Sequence, residues 1–104
     1  MEIRLMADYE CYPLWEILPD GVRNIAPEEL PLTDRLKHEL RDWAARYDAT
    51  LLPGDPASSG FRTTQEEQGF ENEGMRLWAS LRTEIGSGIV VVYFSQKQHR
   101  ELRA

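Results

Sequence analysis

Ile89-Val90-Val91-Val92-Tyr93-Phe94 is the only run of six apolar residues in a chain of 104. Valine, isoleucine, tyrosine and phenylalanine favour strands, and Gly86 and Gly88 punctuate the start of the run. A strand that is apolar on both faces needs cover on both, or a central place in its sheet. Just upstream, Thr63 and Thr64 each stand three residues before a glutamate, Glu66 and Glu67, which is a capping-box start for a helix. Phe70, Gly74, Leu77, Trp78, Leu81 and Ile85 then follow at one-face helical spacing. Gly74 costs about 1 kcal/mol in helix propensity against alanine, which predicts a close backbone approach at that point.

A second helix opens at Thr33 as N-cap, with Asp34 in its first turn. Leu36, Leu40, Trp43, Ala44, Tyr47 and Leu51 form its apolar stripe, and Asp42 and Arg46 are spaced to pair on its polar side. At the N-terminus Ile3, Leu5, Ala7 and Tyr9 alternate with Arg4, Met6 and Asp8, the period of a strand. This strand and the one at Ile89–Phe94 are expected to pair, parallel or antiparallel. Between Glu10 and Leu32, Pro13, Pro19, Asp20-Gly21, Pro27 and Pro31 read as an irregular loop with one helical turn at Pro27–Leu30. Residues 55–61 read as a turn-rich connector, and 95–104 as a partly ordered tail.

The expectation is one domain over residues 1–104, of class α+β and order β-α-α-β. Its short two-stranded sheet, or one that a partner completes, packs on two amphipathic helices. About 104 residues bury roughly two thirds of the unfolded surface, enough for one core. No apolar run approaches the roughly 20 residues of a membrane span. Nothing at Met1-Glu2-Ile3-Arg4 resembles a signal peptide, and the lone Cys11 suits a reducing compartment, so a cytoplasmic location is expected.

Eighteen acids against twelve bases give a formal charge of −6. Such a chain repels phosphate backbones, so no nucleic-acid partner is expected, and it is steered toward basic ones. Catalysis finds little support. Cys11, His38 and His99 have no metal-ligand spacing, so neither metal nor cofactor is expected. Asp8, Glu10 and Glu16 near Cys11 disfavour a thiolate. Ser58-Ser59-Gly60 lacks the nucleophile elbow. The glycines at 86 and 88 precede a strand, whereas phosphate loops follow one.

Two constellations point to binding instead. Tyr9, Tyr12 and Trp15 interleave with Asp8, Glu10 and Glu16, and such rings anchor interfaces where acids select a basic partner. The same rings have a second use, plugging the open edge of a small sheet. Glu67 and Glu71 lie one helical turn apart and present a second acidic face. The candidate partner-binding residues are therefore Asp8, Tyr9, Glu10, Tyr12, Trp15, Glu67 and Glu71. Two alternatives stand beside this: a small enzyme or ligand-binding protein with its site in the 9–31 loop, and a subunit that pairs through an exposed sheet edge.

Ala7-Asp8-Tyr9-Glu10-Cys11-Tyr12-Pro13-Leu14-Trp15, Asp55-Pro56-Ala57-Ser58-Ser59-Gly60-Phe61 and Phe70-Glu71-Asn72-Glu73-Gly74 leading into Leu77-Trp78 carry a further likeness. Together they resemble the immunity proteins encoded beside polymorphic or contact-dependent bacterial toxins. The resemblance implies a cytoplasmic, non-enzymatic protein that binds and silences one cognate toxin domain; as to its own assembly, the chain is expected to be a monomer or a homodimer. Such a toxin is often a basic nuclease.

Overall fold

The computed structural model describes residues 1–55 and 59–103. Strand β1 (Glu2–Leu5) is followed by β2 (Leu14–Leu18), β3 (Gly21–Ile25), a single 3-10 turn (Pro27–Glu29), helices α1 (Asp34–Asp48) and α2 (Thr64–Ile85), and strands β4 (Val90–Ser95) and β5 (Arg100–Leu102). The fold is α+β, but its sheet has five strands in the order β3-β2-β1-β4-β5. That corrects the expectation of a two-stranded sheet in the order β-α-α-β. The central pair, β1 with β4, is parallel, with Ile3 opposite Val91 and Leu5 opposite Tyr93, and the flanking pairs are antiparallel.

The supposed 10–32 loop contains a hairpin. Leu14 pairs with Ile25 and Leu18 with Gly21, which leaves Pro19-Asp20 as a two-residue turn. The prolines that argued against regular structure fall where a strand tolerates them, before its first residue and in the turn. The supposed tail reverses through residues 96–99, with His99 at φ 54°, and returns as β5 against Tyr93–Ser95. Of the connector at 55–61, residues 56–58 lie outside the described residues.

Both helices cover one face of the sheet. Ile3, Leu5, Leu14, Ile25, Val91 and Tyr93 point from it into a core shared with Leu36, Leu40 and Trp43 of α1 and Phe70, Leu77, Trp78 and Leu81 of α2. Thr33 caps α1 by accepting from the Leu36 amide, and Thr63 caps α2 by accepting from the Glu66 amide. Asp42 pairs with His38 at 3.2 Å, not with Arg46. Arg46 instead lies over the Phe70 ring. Trp43 stacks on Phe70 at 4.4 Å, and its indole N–H donates to the Phe70 carbonyl.

The close approach at Gly74 is real but is made by side chains. A Cβ there would collide with Tyr93 Oη and lie 2.8 Å from Trp43 Cζ2. Beyond the end of short β5, the Val91 carbonyl is taken by the Trp78 indole N–H at 2.9 Å. A carbonyl so occupied is not offered to an incoming strand.

Candidate functional site

The segment between β1 and β2 leaves the sheet and reaches the carboxyl end of α1. Tyr9 stacks on Tyr47 with ring centroids 4.5 Å apart, and its hydroxyl is 2.8 Å from that of Thr50. The Glu10 amide donates to Asp48 Oδ1 at 2.9 Å, and the Tyr9 amide to Asp8 Oδ1 at 2.8 Å. On the far side, Asn24 of β3 clamps the loop's return. Its side chain accepts from the Tyr12 amide and donates to the Tyr12 and Leu14 carbonyls. The loop is thus anchored at both ends, with Asp8, Glu10 and Tyr12 exposed.

Asp8, Glu10 and Asp48 have no cation within 4 Å among the described residues. Two features oppose folding at this spot. Asp48 closes a helix at its negative end, where the macrodipole disfavours a carboxylate. Glu10 is held at φ 61°, a left-handed conformation that costs a non-glycine residue about 1–2 kcal/mol. Local rules broken together in one place are characteristic of functional sites.

The negative charge is felt by its neighbours. Burial first, then Asp8, Asp48 and Glu10, push the Cys11 thiol above its ordinary value, so the thiolate a nucleophile requires is disfavoured. Burial, with the neighbouring Tyr9 and Asp8, pushes the Tyr47 phenol up to about 12. The described residues hold no group of three or more metal-ligating side chains. A cleft of about 900 Å³ lies between the end of α1 and the start of α2, bordered by Arg46, Phe61 and Arg62. A smaller one, of about 500 Å³, lies beside β4. Neither is lined by residues 9–31.

The other expected residues divide. Trp15 sits half-buried in β2 on the sheet face away from the helices, its indole N–H donating to the Met6 carbonyl at 3.0 Å. It belongs to the sheet and plugs no edge. Glu67 is half-buried near the start of α2. Glu71 is only 6 % exposed and accepts from Tyr93 Oη at 2.6 Å and Ser95 Oγ at 2.5 Å. It is therefore withdrawn from any partner-facing surface. Position 71 falls three residues before Gly74 and seven before Trp78, on the inward stripe, and that spacing was legible. Tyr47, Asp48 and Asn24 were not foreseen as parts of the site, because their contacts with residues 9–12 span up to 38 positions that no local period relates.

Over residues 1–96 the chain matches a family described as Serratia CdiI immunity protein-like. Comparison with curated proteins gives no match.

Proposed function

Because the chain belongs to the Serratia CdiI immunity protein-like family, we propose that it binds the toxin domain of its own contact-dependent inhibition system and silences it in the cytoplasm, without catalysis. The observation that carries the choice of surface is the anchored acidic loop, where Asp8, Glu10 and Asp48 stand without counter-cations among the described residues. A loop fixed by Asn24 and by the Tyr9–Tyr47 stack loses little conformational freedom on binding. Its charge favours a basic toxin surface, such as that of a nuclease, and Tyr12, 46 % exposed, supplies an aromatic anchor at its margin.

In this reading the partner-binding residues are Asp8, Glu10, Tyr12 and Asp48, with Tyr9 as support. Glu67 lies on a different element and serves as a comparison position. The test is association kinetics with the purified toxin domain encoded beside this chain. Asp8→Lys combined with Glu10→Lys is expected to lower the association rate at least tenfold, and Glu67→Lys to change it less than threefold. Protection of cells that express the toxin should fall in the same order. Unaltered binding by the double variant, with a folded chain, rejects this surface. Absence of any complex with the unaltered chain rejects the immunity reading itself.

A further inference from the structure

The sheet face opposite the helices carries no covering element among the described residues, and its two halves are finished differently. Over β1, β4 and β5, Arg4 bonds Glu101 at 3.2 Å, while Arg103 reaches Glu101 at 2.9 Å and Glu2 at 3.4 Å. The aliphatic stems of these side chains cover Val92, which is 1 % exposed. Val90 at the head of β4 stays 53 % exposed, opposite Glu2 and so in line with Ile17 and Val22 across the sheet. Over β2 and β3 there is no such roof. Ile17 and Val22 face each other across the hairpin, Trp15 lies beside them, and Val22 is 50 % exposed.

We propose that this β2–β3 half is the apolar floor of the toxin interface, and that it takes an apolar segment of the toxin domain next to the basic surface that meets the loop. The inference rests on the immunity reading and extends it to the chemistry of the partner. Area is the first reason. A stable complex buries about 800 Å² per partner over roughly 20–30 residues, and the residues between β1 and β2 together with the last turn of α1 are fewer than that. Continuity is the second. The Trp15 indole N–H holds the Met6 carbonyl at the root of the loop, so a body seated on the loop extends directly over Trp15 onto Ile17 and Val22. A charged rim around an apolar centre is the usual composition of such a surface. A second copy of the chain is the poorer occupant, because it brings another −6 to a chain already at −6.

Neutral variants separate this floor from the acidic rim. Val22→Ser and the pair Ile17→Ser/Val22→Ser are measured against the toxin domain by stopped flow and surface plasmon resonance, with circular dichroism as the check on folding. The expected result is dissociation at least tenfold faster for the pair, with association rate and its salt dependence within twofold of the unaltered chain. Val22→Ser, at an exposed position, carries the test alone if the pair unfolds, with dissociation at least threefold faster. Unchanged dissociation in a folded variant overturns the proposal while leaving the immunity reading in place. So does a dimer of the unaltered chain in sedimentation equilibrium that Val22→Ser splits without altering toxin affinity. Failure of the unaltered chain to bind the toxin overturns both.

Discussion

At the scale of single residues, α2 meets the sheet through a polar contact inside an apolar core. Glu71 is buried with two hydroxyl donors, Tyr93 and Ser95, and Ser95 Oγ in turn accepts from the Gln98 amide in the β4–β5 turn. A buried carboxylate is tolerated only when so satisfied. Gly74, one turn further along the helix, leaves the space that the Tyr93 ring and hydroxyl occupy. Gly74→Ala therefore gains about 1 kcal/mol of helix propensity and loses about 1–3 kcal/mol to overpacking. A net loss of stability in urea unfolding is expected, opposite in sign to a helix rule applied alone. The same cluster sets an alkaline limit. Burial first, then the hydrogen bond and charge of Glu71, raise the Tyr93 phenol far above its ordinary value, and Tyr47 is raised to about 12. A phenol raised in the folded state contributes stability that is complete below its unfolded value of about 10 and is lost as pH climbs above it. Thermal stability should fall from about pH 10 upward. In Tyr93→Phe, less stable at neutral pH because Glu71 loses a donor, that fall should be shallower.

At the scale of elements, what was legible followed from periodicity and what was missed followed from partners. Both helices, both threonine caps and the two central strands are written in local patterns that burial then satisfies. The hairpin was not, because Leu14–Leu18 presents Leu, Trp, Glu, Ile and Leu between two prolines, and each proline locally argues against a strand. Only the neighbouring β1 shows that this short run is a strand, since it pairs Leu5 with Leu14 and Ile3 with Glu16. β5 was hidden for a similar reason: its turn ends at His99 in a left-handed conformation with no glycine to announce it. The candidate site was half legible. Its aromatic and acidic residues stood out as a loop motif, whereas the clamp that fixes them, Asn24, belongs to the unrecognised β3. Asn24→Ala should therefore act on the loop more than on the core. It removes three hydrogen bonds around Tyr12 and Leu14, with an expected stability loss of about 1–2 kcal/mol. Hydrogen exchange at the Tyr12 amide should accelerate while amides of β1 and β4 keep their protection.

At the scale of the whole molecule, the excess charge is unevenly compensated. Arg23 is held between Glu16 and Glu29, Arg41 pairs with Glu28, and Arg76 lies between Glu39 and Glu73. These pairs close the helical side and the 3-10 turn into locally balanced groups. Asp8, Glu10 and Asp48 are left outside them, as are Glu66 and Glu67 at the start of α2, and the first three gather at one end of α1. A field of that kind acts at a distance and governs encounter more than residence. Raising salt from about 0.1 M to 1 M shortens the Debye length from about 10 Å to about 3 Å. Association with the toxin surface proposed to be basic should then slow by at least tenfold, while dissociation, assigned by the same proposal to apolar contacts, changes by less than threefold. Asp8→Asn with Glu10→Gln should flatten the salt dependence of association without altering the fold, since both side chains are exposed. Stopped-flow mixing across a salt series reads both quantities. An association rate indifferent to salt in the unaltered chain would mean that the acidic end of α1 does not steer the encounter, and that the toxin approaches another face.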